Sequence, residues 1–347
     1  MLFNLETDRG DVVEGYLIPD GFADRPQIVV SDATGTIAVL SCDQMRQAVV
    51  ASGRHQTGLV GFRLDKSNIP DLRSCSTLTI RDQKSGLLIY RRPLGPQQVN
   101  KKLLRLETQL LPMVKLDQYI GGRFQYAVQS VERFGHETAL QAFHLNAIKS
   151  IFISGRLLVR NYQEFFDKGF TGVALLTDPY YEMAARISIL KRMANVPLSF
   201  IGERDKITLS PAAQYLASMN LDELQSIKQH LKKAPPKVRN VLISPTTRQF
   251  ACTDPEQLTT RRDIASAIDL LSRFDIIGHN NDTIPFAHAV GELLNIDSDN
   301  IPIPERYSMI ERLADMLRGL PIAELYLEDD LILDHYVRAA IMNSHSE

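Results

Sequence analysis

Gly172-Val173-Ala174-Leu175-Leu176-Thr177-Asp178-Pro179-Tyr180-Tyr181-Glu182-Met183-Ala184-Ala185-Arg186 starts as an unbroken apolar run and becomes a helical pattern past Asp178-Pro179. An apolar run without alternation suits a strand covered on both faces. A proline just inside a helix is favourable because its missing N–H is not needed there. The stretch therefore predicts a buried strand opening into a helix. The same unit precedes it: Lys149–Ser154 reads as a strand and residues 157–168 as a helix, before the strand 172–177 and a helix over 180–193. Downstream, Val238–Ile243 and Phe274–Gly278 read as short apolar strands around a helix near 256–272, and helices dominate from there on. This alternation implies a small, mostly parallel sheet covered by helices.

Upstream of that region the period is two. Asp11–Ile18, Pro26–Val30, Gly35–Leu40, Gly58–Leu64, Ser76–Ile80 and Gly86–Tyr90 are short runs rich in β-branched residues, separated by Pro-Asp-Gly, Asp-Ala-Thr-Gly and Gln-Lys-Ser-Gly turns. They predict an antiparallel sandwich or barrel over residues 1–93. A helix-like insert, Asp43–Val50, interrupts them, with Asp43 placed to cap it. Arg91-Arg92-Pro93-Leu94-Gly95-Pro96 breaks the pattern, as two prolines and a glycine suit a connection. Residues 94–115 are expected to be a linker and connecting helix carrying Leu103, Leu104, Leu106, Leu110 and Leu111, and residues 116–347 a helix-rich α/β domain. Ala127, Val128, Val131, Phe134, Leu140, Phe143, Leu145 and Ile148 also fit helical spacing, with a break at Gly135.

Composition excludes several classes. The chain has 347 residues, 44% hydrophobic and 23% charged, which is ordinary globular composition. Lys plus Arg is 39 against 41 Asp plus Glu, a formal net charge of −2, which argues against a surface that coats nucleic acid. Three cysteines (Cys42, Cys75, Cys252) lack metal-ligand spacing and make neither a disulfide framework nor a zinc site. The opening MLFNLETDRGDVVEG has acidic residues where a signal peptide needs a basic and then an apolar run. No apolar stretch approaches the roughly 20 residues of a membrane span. The expected setting is cytoplasmic.

Candidate chemistry clusters at strand ends, where ligands gather in open α/β sheets. Ser154-Gly155-Arg156 offers a glycine for close backbone approach and a guanidinium that can fork onto a phosphate, sulfate or carboxylate; a turn glycine and an ion-paired arginine explain it too. Asp178 and His279, the latter after Phe274–Gly278, are the candidate general bases. Lys228, Lys232, Lys233, Lys237, Arg239 and Arg248 form a basic run with no acid between them, a patch for an acidic polymer or the solvated end of a helix starting near Leu221. The histidines (55, 136, 144, 230, 279, 288, 335, 345) form no i,i+4 pair, and no Walker-type loop occurs. The acidic stretch Glu324–Asp334, interleaved with leucines, reads as the solvent face of a helix.

Three stretches taken in order resemble the carbohydrate sulfotransferase family. Its strand-end motif Arg-Asp-Pro-x-x-Arg-x-x-Ser is similar to Thr177-Asp178-Pro179-Tyr180-Tyr181-Glu182-Met183-Ala184-Ala185. Its Asn-Pro-x-Thr-Arg-x-Leu stretch is similar to Ser244-Pro245-Thr246-Thr247-Arg248-Gln249-Phe250, followed by Ala265–Gly278. Helices like Ile284–Leu294 and one from Leu327 complete the order. The first 93 residues more loosely resemble a small β domain attached to bacterial carbohydrate-related proteins. The resemblance implies a P-loop-type architecture over about residues 150–340, but here without the P-loop.

It also implies what this chain has lost. In the family, two arginines and a serine of the strand-end motif hold the 3′-phosphate of 3′-phosphoadenosine 5′-phosphosulfate. Those positions are Thr177, Glu182 and Ala185 here. Replacing a cation by a carboxylate a few ångströms from a phosphate costs on the order of several kcal/mol. The Lys-Thr-Gly-Gly-Thr-type loop is missing too; the nearest glycine pair, Gly121-Gly122, has no lysine beside it. The expectation is a sulfotransferase-like protein that no longer transfers sulfate, uses no cofactor, and binds a protein or an anionic glycan. The alternative is an active carbohydrate-directed transferase whose anionic donor is held by Gly155, Arg156, Lys237 and Arg248, with His279 or Asp178 as base.

Overall fold

The structure is a computed structural model describing residues 1–344, so His345 lies outside the described residues. In chain order the first elements are β1 (Leu2–Asp8), β2 (Val13–Ile18), β3 (Gln27–Asp32), β4 (Gly35–Ser41), β5 (Gln44–Met45), α1 (Gln47–Ala51), β6 (Leu59–Leu64), β7 (Thr79–Asp82) and β8 (Leu88–Arg91). They make two separate antiparallel sheets of order β1-β2-β6-β5 and β4-β3-β7-β8. Two open sheets replace the barrel alternative. In β2, Val13, Gly15 and Leu17 turn inward while Glu14 and Tyr16 are half-exposed, the period-two signature of a strand with one face on a core.

The rest of the chain runs β9 (Lys102–Leu106), α2 (Val114–Gly121), β10 (Tyr126–Val128), α3 (His136–Phe143), β11 (Ile151–Gly155), α4 (Glu164–Asp167), β12 (Phe170–Leu176), α5 (Pro179–Met193), α6 (Glu203–Leu216), α7 (Leu224–Lys233), α8 (Pro236–Leu242), α9 (Pro245–Ala251), α10 (Arg261–Leu271), β13 (Ile276–His279), α11 (Ile284–Leu294), α12 (Ser308–Arg318) and α13 (Pro321–Ser344). A five-stranded parallel sheet has the order β10-β11-β9-β12-β13. The expected α/β class, antiparallel sheets followed by a parallel sheet with helices, is what the chain forms. No helix among the described residues is long and apolar enough to cross a membrane.

The strand that decides the fold, β12, is buried along its length except at Thr171. At its end Asp178 caps α5: its Oδ1 accepts from the Tyr181 N–H at 3.0 Å, and Pro179 holds the first helical position. Lys191 and Arg192 in the last turn complement the helix dipole. Ile187 and Leu190 of α5 pack in one apolar core with Leu216, Ile227, Leu231, Leu317 and Leu327.

Several elements differ from the sequence expectation. Leu103, Leu104 and Leu106 lie in β9, not a helix: a strand buried on both faces has no alternation to distinguish it from a helical stripe. Ala127 and Val128 belong to β10, so the helix expected through to Ile148 shortens to α3. Val238–Leu242 is helical, because Pro236 supplies a helix start and Val238 and Leu242 share one buried face at i,i+4. Asp43 caps nothing; α1 starts four residues later after Arg46. The expected strands Lys149–Ser154, Gly172–Thr177 and Phe274–Gly278 survive as β11, β12 and β13, and α11 has the bounds expected for it.

By compactness the chain divides into two units. Unit 1 comprises residues 1–102, 120–129 and 134–153; unit 2 comprises 103–119, 130–133 and 154–347.

Candidate functional site

In unit 2, β9 and β12 end beside one another and β13 follows β12 in parallel register, Leu176 opposite His279. The turn after β9 leads into α2, the place where a phosphate-binding loop needs glycines and free backbone N–H groups. Here it reads Glu107-Thr108-Gln109-Leu110-Leu111-Pro112-Met113. Three of its N–H groups are already taken by carboxylates of the same chain. Gln109 N donates to Glu107 Oε1 at 3.3 Å, Met113 N to Glu107 Oε2 at 2.8 Å, and Leu110 N to Glu182 Oε1 at 3.0 Å. Thr108 Oγ1 donates to Leu175 O at 3.0 Å. Glycine-based reading missed this loop, because the sequence pointed to Gly121-Gly122, at the far end of α2.

Glu182 is 1% exposed, and Arg186 Nη2 donates to its Oε1 at 2.8 Å. Burial raises the carboxyl above the usual range, against the pull of Arg186 and the Leu110 N–H. Its Oε2 has no partner, nor has Thr177 Oγ1. Thr177, Glu182 and Ala185, the three positions singled out in the strand-end stretch, are all buried. What is left at these strand ends is a cavity of about 80 Å³ lined by Gln109, Leu111, Tyr181, Asn280, Arg306 and Tyr307, among others. Ligand pockets are typically about 300–1,000 Å³.

The two candidate bases meet in one chain of ion pairs and hydrogen bonds. Asp178 Oδ1 lies 3.0 Å from Arg318 Nη2, and its Oδ2 lies 3.1 Å from Arg338 Nη2. Arg338 Nε is 2.8 Å from Asp334 Oδ2, and Asp334 Oδ1 is 2.9 Å from His279 Nε2. Burial pushes the Asp178 carboxyl up, but the Tyr181 N–H and the arginines outweigh it and leave it below the usual range. His279 Nδ1 accepts from the Asn281 N–H at 3.2 Å, so Nε2 carries the proton toward Asp334. Both ring nitrogens are occupied, which leaves no lone pair to take a proton from an acceptor hydroxyl.

Three of the four candidate anion-binding residues are engaged within the chain. Gly155 (φ +142°) does allow close approach, but to Glu132: a Cβ there would overlap Glu132 Oε2 and lie 2.6 Å from Val131 N. Arg156 is paired with Asp205 and lies 3.5 Å from Glu132 Oε1; burial lowers its affinity for the proton, but Glu132 and Asp205 outweigh that and raise it. Arg248, on α9, donates to the carbonyls of Asn240 and Pro255. Lys237 is exposed on α8. The Ser244–Phe250 stretch opens α9, and its donors are also filled from within: Asp330 accepts from Thr246 N at 3.2 Å, Thr247 N at 2.7 Å and Thr247 Oγ1 at 2.6 Å. Glu324–Asp334 is therefore not wholly a solvent face; Asp330 is buried.

Of the cations singled out from the sequence, Lys232, Lys233, Lys237 and Arg239 are exposed and make no ion pair among the described residues, and Lys228 is half-exposed on the same footing. They flank the Ala234-Pro235-Pro236 turn between α7 and α8. The three cysteines are free, and the Cys42 thiol is pushed up to about 12 by burial and by Asp43. No group of metal-ligating side chains is found among the described residues. Comparison of the chain with protein-family models, with curated proteins and with solved structures finds no match.

Proposed function

We propose that this chain is a sulfotransferase-like scaffold without sulfate transfer, which serves as a binding component for an anionic partner, engaged by the α7–α8 basic surface. The observation that carries the reading is the filled turn after β9, where Glu107 and Glu182 take the backbone N–H groups that a phosphate or phosphosulfate would need. A polyanionic donor would have to displace two carboxylates of its own sign and expand a cavity of about 80 Å³. The alternative transferase reading gains no support. Arg156 and Arg248 are tied to internal acceptors, and His279 and Asp178 are fully hydrogen-bonded.

Thermal unfolding in the presence of adenosine 3′,5′-bisphosphate tests the reading. A ligand held at 100 times its dissociation constant stabilises the fold by about 2.7 kcal/mol. The expected result is an unchanged melting temperature at millimolar nucleotide. A saturable rise at micromolar nucleotide would overturn the reading.

A further inference from the structure

The two antiparallel sheets of unit 1 have four edges, of which two are closed within the unit and a third is very short. At β1, the Gln141 amide accepts from Phe3 N at 3.3 Å and donates to Phe3 O, as a neighbouring strand would. At β8, Gln125 Nε2 donates to Arg91 O at 3.2 Å, and Arg91 Nη1 donates to Phe124 O at 3.0 Å. The β5 edge is two residues long.

The fourth edge is β4, Gly35-Thr36-Ile37-Ala38-Val39-Leu40-Ser41, seven residues with no charge and no proline. Its register places Ala38 opposite Val30 and Leu40 opposite Ile28, and Cys42 N donates to Pro26 O at 3.0 Å. The backbone groups of residues 38, 40 and 42 therefore turn toward β3, and by alternation those of Val39 and Ser41 turn outward. Among the described residues, none supplies a backbone partner to the outward N–H and C=O of Val39. Ile37, at the register shift, and Val39 are 38% and 48% exposed. Edges of this length are ordinarily blunted by charge, proline or a covering element, and β4 has none of these.

We propose that β4 is the docking edge for a second copy of this chain, paired antiparallel about a two-fold axis at Val39. In that pairing Val39 faces Val39 of the partner subunit, and Ile37 faces Ser41 of the partner subunit. The register is self-complementary, as a closed two-fold interface requires. Charge favours this occupant. From Ala33 to Cys42 no side chain is ionised near neutral pH, so no like charges oppose across the axis. The same neutrality gives a charged segment of another protein nothing to pair with.

Sedimentation velocity of the full chain over a dilution series, with hydrogen exchange followed by mass spectrometry, tests the proposal. A monomer–dimer equilibrium is expected, with the 35–41 amides protected in the dimer and exposed on dilution. Val39→Lys opposes two like charges at the axis and should raise the dissociation constant at least about tenfold. A chain that stays monomeric at hundreds of micromolar, a dimer without concentration-dependent protection at 35–41, or a Val39→Lys variant that associates as before would each overturn it. Should that variant not fold, exchange on the unaltered chain decides.

Discussion

At the scale of single residues, buried carboxylates set the chemistry of unit 2. Asp330 is the clearest case: burial pushes its carboxyl up to about 6, although three donors from Thr246 and Thr247 work against the rise. Its folded value thus lies above that of an unfolded aspartate. The stability it contributes is complete below about pH 4 and is lost as pH rises through about 6, worth about 3 kcal/mol across that window. In Asp330→Asn the urea midpoint should vary less between about pH 4 and 6 than in the unaltered chain; an equal slope would assign the titration elsewhere. Sequence reading placed Asp330 on a solvent face because the acids there alternate with leucines. Nothing in that spacing shows that Thr246 and Thr247, more than eighty positions away, meet its carboxylate.

At the scale of elements, α5 shows what local rules can and cannot supply. Its start was legible, since Pro179 acts within a few residues of where it stands. Its cap also receives Arg318 and Arg338, from α12 and α13. Both guanidiniums are more than a third exposed, so solvent screens these pairs and the cap outweighs them. Asp178→Ala should therefore cost about 1–2 kcal/mol and lower the melting temperature by a few degrees. Asp178→Asn, which keeps a capping oxygen but loses the charge, should stay close to the unaltered chain. A larger loss in Asp178→Asn than in Asp178→Ala would show that the ion pairs dominate. β9 is the contrasting element: Leu103, Leu104 and Leu106 satisfy either period, and pairing within a sheet settles them as a strand.

At the scale of the whole molecule, a net charge of −2 conceals an uneven distribution. Arg105, Arg156 and Arg186 are committed to internal acids, whereas the cations around the α7–α8 turn are not. The chain should be retained on a sulfated polysaccharide at low ionic strength and released as salt shortens the screening length to a few ångströms. Lys232→Glu, Lys233→Glu and Lys237→Glu together should abolish retention without changing the circular dichroism spectrum. Retention equal to that of the unaltered chain would place the contact elsewhere.

The α/β class, the change from period two to buried strands, and the helix start at Pro179 were legible in the sequence alone, because each depends on neighbours within about one turn or one strand. The sequence could not announce that Glu107 and Glu182 would occupy the turn after β9, that Asp178 and His279 would join through Arg338 and Asp334, or that β4 would lie at an open edge. Those are consequences of strand order and helix packing, which bring together groups tens to hundreds of residues apart, and no local periodicity encodes such encounters.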